Sequence, residues 1–420
     1  MEQLVVNGRN KLNGEVFISG AKNAVVAVIS ATILAADTCV IENMPEIEDV
    51  SSLFEVLTEL GAVCEYIDSS TLRIDTLGIC EYRASYESVK KLRASYYLMG
   101  ALLGRFKRAV VPLPGGCDFG SRPIDLHLKG FRALGARVNE EHAVINMTAE
   151  KLVGTTINLD TPSVGATINI MLAATMAQGV TIIENAAKEP HIVDTANFIN
   201  MLGGKIKGAG TDVIRITGVE KLHGAEYAII PDQIEAGTYM IAAAACGGDV
   251  VVRDIIPKHM DSLSAKLREM GCEITEGDDF IRVVSKGEGL KPANVKTMVY
   301  PGFPTDLQPQ MAVLLSLASG TSTLKETVWN TRFQYVNELR RIGCKINVEG
   351  DVAIIEGTNV DLTGANVCAT DLRAGAALII AGLAAKGETV ISNVKYIDRG
   401  YEKVEFKLKG LGADIERRRI

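Results

Sequence analysis

No apolar run in this chain approaches the roughly 18 residues that a membrane span requires; the best candidates, such as "ALIIAGLAA", are short and end at glycine or charge. A secretory leader is missing too, because "MEQLVVNGRNKLNG" is too polar for an apolar signal core, so a cytoplasmic protein is expected. Excess positive charge is absent. The net charge of -7 argues against nucleic acid or a membrane surface as partner. The eight cysteines (Cys39, Cys64, Cys80, Cys117, Cys246, Cys272, Cys344, Cys368) contain no CxxC pair. Most stand among apolar residues, where a thiol acts as a small hydrophobe, so neither a metal site nor a disulfide framework is expected. With 47% apolar and 23% charged residues over 420 positions, the chain is globular and long enough for two or three domains.

What is present, six times, is a short phrase reading apolar, glycine, small. It occurs as "LGAVCEYI", "LGARVNEE", "LGGKIKGA", "MGCEITEG", "IGCKINVE" and "LGADIERR", with glycines at Gly61, Gly135, Gly203, Gly271, Gly343 and Gly412. The spacing of 68 to 74 residues suits a small subdomain repeated six times rather than a solenoid. Each glycine follows a helical pattern and reads as a helix C-cap, after which a strand pair, a variable stretch, a further strand, a loop, an Ala-rich helix and another strand with a second loop are predicted. The last unit stops at "LGADIERRRI" without its second hairpin strand, while "QLVVNG" and "GEVFISGAKNA" at the start have no unit of their own. The N-terminal strands are therefore expected to complete the C-terminal unit. This gives one domain over 22–230 and a second over 1–21 with 231–420, the active site lying between them.

The loops before the Ala-rich helices align as "SGAKNA", "KKLRAS", "PSVGAT", "IEAGT", "FPTDLQ" and "TDLRAG". Helix N-termini are ready anion sites, and three of these loops hold cations that look unpaired: Lys22, Arg93 and Arg373. "SVGAT" offers hydroxyl and N–H donors, as a diphosphate cradle would, or is simply an ordinary helix start. One loop holds a carboxylate, Asp306, which by itself reads as an N-cap. The second set of loops adds Arg122, Arg332 and Arg399. Six cations at repeat-equivalent loops of an acidic protein point to a substrate with several negative charges.

Together, "SGAKNA", "PGGCDFGSRPIDLH", "SVGAT", "ENAAKEPHIVDTANF", "FPTDLQ", "TDLRAG" and "IDRGYE" resemble the UDP-N-acetylglucosamine enolpyruvyl transferases from end to end. The resemblance implies an α/β fold of two domains, each an inside-out α/β barrel of three βαβαββ repeats. It also implies transfer of the enolpyruvyl group of phosphoenolpyruvate to the sugar nucleotide's 3'-hydroxyl, the first committed step of peptidoglycan synthesis, with no metal or organic cofactor. Cys117, in its glycine-bracketed loop, matches the family's acid and covalently modified residue, and Asp306 the group that takes the hydroxyl proton. Lys22, Arg122 and Arg399 match the phosphate ligands, Arg332 and Arg373 the carboxylate ligands, and Asn23 stands at the reaction centre.

For the sugar nucleotide, the matching positions are Arg93, the run Arg122, Pro123, Ile124, Asp125, Leu126 and His127, then Ser163, Val164 and Gly165, and finally Asp306 and Val328. Outside the resemblance His127 would read as a structural histidine. The chain departs from the family's usual tryptophan, lysine and arginine at Tyr97, Thr161 and Gln233. Enolpyruvylshikimate phosphate synthase shares the architecture and is the nearest rival. A binding protein without turnover and an RNA-end-modifying relative are rivals of other classes, the latter opposed by the negative charge.

Overall fold

The structure, a computed structural model, describes residues 2–90, 93–113, 124–329, 332–357 and 361–419, and for Arg93 and Ala94 the main chain alone. It is a mixed α/β fold. Among the described residues there are six open sheets, five of four strands and one of three. In the sheet built on Val180–Glu184, Thr156–Asn158 runs parallel on one side. On the other side Val213–Thr217 runs antiparallel and pairs in turn with Ile206–Lys207. The sheets built on Thr38–Glu42, Gly248–Arg253, Thr321–Lys325 and Glu388–Ser392 repeat this order. In the three-stranded sheet the parallel neighbour shrinks to one bridge, Arg83 to Val110.

The start of the chain enters two late sheets. Glu2–Asn7 lies antiparallel between Glu388–Ser392 and Asp414–Arg419, and Leu12–Phe17 runs parallel to Gly248–Arg253. By contacts, the described residues from Gly20 to Ile230 form one unit, and those up to Ser19 and from Pro231 onward form another.

The first unit is centred on helices α1 (Lys22–Thr32), α2 (Tyr97–Phe106) and α3 (Val164–Thr175). The second is centred on α4 (Gln233–Cys246), α5 (Gln308–Ser316) and α6 (Leu372–Ala384). Every residue of α3 from Ala166 to Thr175 is buried, as is every residue of α6 from Arg373 to Leu383. A helix apolar on all sides belongs in an interior, and within each unit these helices pack on one another. The helix Glu48–Leu60 instead buries one stripe, Val50, Leu53, Val56, Leu57 and Leu60. It ends at Gly61, and all six repeat glycines hold φ between +92° and +109°, a backbone state that side-chain-bearing residues rarely adopt.

Glycine serves a second purpose where α2 crosses α3. A Cβ at Gly100 would sit 2.4 Å from the Asn169 carbonyl oxygen, so only glycine permits this approach. Of the seven described cysteines, all free, Cys39, Cys272 and Cys344 are buried, Cys64, Cys246 and Cys368 partly so, and Cys80 is exposed. Cys39, Cys272 and Cys344 belong to the apolar cores and Cys64 and Cys246 pack against them, as expected of thiols acting as small hydrophobes. No helix among the described residues is long and apolar enough to cross a membrane.

Candidate active site

In the second unit three of the expected site residues meet. Asp306 sits in a 3-10 turn, Thr305–Leu307, that leads into α5, where Pro309 is tolerated because the first-turn N–H has no intrahelical acceptor. The residue at the cap position of α5 is Leu307 rather than Asp306. One carboxylate oxygen of Asp306 lies 2.9 Å from Arg332 Nη1, and the other is 3.0 Å from Arg373 Nη2 and 3.3 Å from its Nε. Both arginines are almost wholly buried. Arg373 and Lys22 are thus ion-paired, contrary to the expectation from the loops: Lys22 Nζ lies 2.8 Å from the buried Asp49.

Arg373 is the second residue of α6, a helix capped by Asp371, whose Oδ1 accepts from Arg373 N and Ala374 N. The guanidinium reaches the Tyr401 hydroxyl at 3.3 Å, and that hydroxyl also meets Thr238 of α4 at 2.9 Å and Gln310 of α5 at 3.3 Å. All three central helices therefore help to aim this arginine. Burial would push its pKa down, and Asp306 with Tyr401 more than offsets that, keeping it protonated.

Glu326, fully buried, was not anticipated. Its Oε1 accepts from Thr297 Oγ1, Val328 N and Trp329 N at 2.7 to 2.9 Å, and its Oε2 from Thr305 Oγ1 at 2.9 Å. The Thr305 hydroxyl in turn accepts from Arg332 Nη1 at 3.1 Å. A single carboxylate thus braces the turn bearing Asp306 and the loop bearing Val328. Arg399 ends the helix Lys395–Asp398, and Arg417 fastens its neighbour Asp398 through two bonds of 2.7 and 2.9 Å while also reaching Glu2 and Glu405.

In the first unit Asn23 is half-buried beside Lys22 on α1. Ser163 caps α3 by accepting from Ala166 N, with Val164 and Gly165 in the first turn. His127, on Asp125–Ala133, packs its ring edge against that turn, since a Cβ at Gly165 would sit 3.0 Å from His127 Nε2. Burial drives the His127 pKa down to about 4, against the opposing charge of Asp125, so the ring is neutral at physiological pH. Asp125 is exposed, whereas Ile124 and Leu126 are half-buried. Tyr97 is buried edge-on against Tyr96, Thr161 is exposed, and Gln233 opens α4. Cys117, Arg122, Pro123 and the Arg93 side chain lie outside the described residues.

The chain belongs to the family described as EPSP synthase (3-phosphoshikimate 1-carboxyvinyltransferase), which matches residues 6–408. Within it, the sequence is 56% identical to the UDP-N-acetylglucosamine 1-carboxyvinyltransferase of Clostridium botulinum over 99% of this chain and 100% of the relative. It is 55% identical to UDP-N-acetylglucosamine 1-carboxyvinyltransferase 2 of Bacillus subtilis over 100% of this chain and 97% of the relative. Among solved structures, the enolpyruvyl transferase NikO of Streptomyces tendae superposes with a TM-score of 0.90 at 26% identity, covering 99% of this chain and 98% of that one. An EPSP synthase of Acinetobacter baumannii shares the fold with a TM-score of 0.76 at 20% identity, covering 100% of each chain.

Proposed function

We infer that this chain transfers the enolpyruvyl group of phosphoenolpyruvate to the 3'-hydroxyl of UDP-N-acetylglucosamine with release of phosphate, opening peptidoglycan synthesis. The observation that carries the choice of acceptor is the full-length identity to relatives named for it. The buried arginines around Asp306 support the chemistry.

In this reading Cys117 delivers a proton to C3 of phosphoenolpyruvate, leaving C2 electron-poor. The sugar hydroxyl gives its proton to Asp306 as its oxygen bonds to C2, a positioned carboxylate acting as general base. The tetrahedral adduct then collapses: C3 loses a proton, the C2–oxygen bond to phosphate breaks, and phosphate departs. Arg332 and Arg373, which grip one carboxylate already, are proposed to hold the substrate's, and Lys22, Arg122 and Arg399 its phosphate. Fixed donors aimed at developing negative charge stabilise the transition state. Asn23 is placed at the reaction centre. The sugar nucleotide is assigned to Arg93, to residues 122–127, to the first turn of α3 and to Val328.

The proposed architecture is two domains, 22–230 and 1–21 with 231–420, each an inside-out α/β barrel of three βαβαββ repeats. Six sheets of one topology and six buried helices support it. A cytoplasmic location follows from the nucleotide substrate. The test is phosphate release from phosphoenolpyruvate with each of two acceptors. Release with UDP-N-acetylglucosamine and not with shikimate 3-phosphate is expected, and the reverse pattern would overturn the reading.

A further inference from the structure

The fully buried Asn169 makes no part of the reaction just described, yet each of its amide hydrogen-bonding groups is engaged. Its Oδ1 accepts from Gly100 N at 2.9 Å, and its Nδ2 donates to the Tyr96 carbonyl at 3.1 Å. A backbone N–H can only donate and a carbonyl only accept, so these two contacts fix which way the amide faces. The second hydrogen of Nδ2 is left for His127 Nδ1, 2.9 Å away. That nitrogen must accept it. The single proton of the neutral ring therefore resides on Nε2, at the edge of the ring packed against Gly165.

We propose that Asn169 is a positioning residue that locks His127 in its Nε2–H tautomer, so that the ring serves as a neutral hydrogen-bond donor to the diphosphate of the sugar nucleotide at the first turn of α3. This rests on the assignment of the Ser163–Gly165 turn to that substrate. The N–H groups of Val164 and Gly165 have no acceptor within a 12-residue helix, and they suit the same anionic oxygens as the imidazole N–H. Burial disfavours a charged ring, and so does the positive end of α3. Among the described residues the titratable groups facing the ring are Asp125 on its own helix and Tyr96, which meets it edge-on at 5.3 Å; the first turn of α3 contributes no charge. The other tautomer would turn a lone pair toward the phosphate oxygens and repel them.

Asn169→Asp is nearly isosteric and tests the inference directly. Its carboxylate would draw a proton onto His127 Nδ1 and favour the charged ring. With histidine labelled by nitrogen-15 and His127 assigned through His127→Gln, the unaltered protein is expected to show a neutral Nε2–H ring from pH 5.5 to 8, whose Nε2 signal moves on adding UDP. In Asn169→Asp the proton is expected to appear on Nδ1. Above the pH at which that ring loses its second proton, Nε2 is left as a lone pair and KM for UDP-N-acetylglucosamine should rise roughly tenfold or more, as for a lost bond to a charged group; below it the charged ring donates from both nitrogens and the rise should disappear, with KM for phosphoenolpyruvate nearly unchanged throughout. An Nδ1–H tautomer in the unaltered protein, or titration of its ring within that pH range, would overturn the proposal. So would an equal rise in both KM values. Should Asn169→Asp fail to fold, the tautomer and UDP response of the unaltered ring decide the matter alone. A correct tautomer with no response to UDP, in a protein that still turns over both substrates, would reject the diphosphate contact while leaving the assigned reaction standing.

Discussion

At the scale of single residues, a buried carboxylate with many donors is a sensitive point. Glu326→Ala strands two threonine hydroxyls and the N–H groups of Val328 and Trp329. With a lost buried partner costing about 1–3 kcal/mol each, a loss of at least about 3 kcal/mol in urea unfolding and a collapse of kcat are expected. Glu326→Gln keeps an oxygen for the three donors on Oε1 and should cost about 1 kcal/mol. Arg399→Ala should weaken phosphoenolpyruvate roughly tenfold and leave UDP-N-acetylglucosamine binding unaltered by calorimetry. Lys22→Ala should do the same and in addition destabilise the fold, because the buried Asp49 loses an ion-pair partner 2.8 Å away. His127 adds a pH dependence. Its folded pKa of about 4 lies below the unfolded 6.5, so the unfolded chain binds more protons between these values, and stability present above pH 6.5 is lost as pH falls toward 4. Between pH 7.5 and 5, urea unfolding should show the unaltered protein losing about 2 kcal/mol more than His127→Gln. Asp194, raised to about 6 by burial, acts oppositely in both and cancels. Asp306, Arg332 and Arg373 could be read from the sequence because they stand in recognisable loops. Glu326, Asn169 and Asp49 could not, since each acts through a partner 20 to 70 residues away that no local pattern reveals.

At the scale of elements, the repeat glycines were legible because a left-handed helix end is a local demand that few other residues meet. The pairing of the first strand was legible for a different reason: a hairpin strand was missing from one end of the chain and surplus at the other. Glu2–Asn7 is a central strand whose Leu4, Val5 and Val6 are at most 1% exposed. Placing a charge there, as in Val6→Asp, should cost on the order of 3–5 kcal/mol and deplete the soluble fraction on expression, whereas Asn7→Lys at the strand's half-buried end, opposite Glu388 and Asp414, should be tolerated. Equal solubility of the two variants would contradict the pairing. The crossing of α2 on α3 was not legible, because "MGALLG" reads as any Ala-rich helix until Asn169 is placed beside Gly100.

At the scale of the whole molecule, the sixfold phrase pointed to an α/β repeat protein, and the cations in its loops to an anionic substrate. Long loop motifs narrowed that to enolpyruvyl transfer. The central claim is the reaction, and its chemistry leaves a mark that phosphate release alone does not. Protonating C3 makes a methyl group, and elimination removes one of its three hydrogens. In deuterated buffer, part of the deuterium delivered must therefore remain in the product. Proton and phosphorus NMR of one mixture of enzyme, phosphoenolpyruvate and UDP-N-acetylglucosamine should show inorganic phosphate, a vinyl ether on the 3-oxygen of the sugar, and deuterium in its methylene. Phosphate without a sugar vinyl ether, or a vinyl ether carrying no deuterium, would contradict the account.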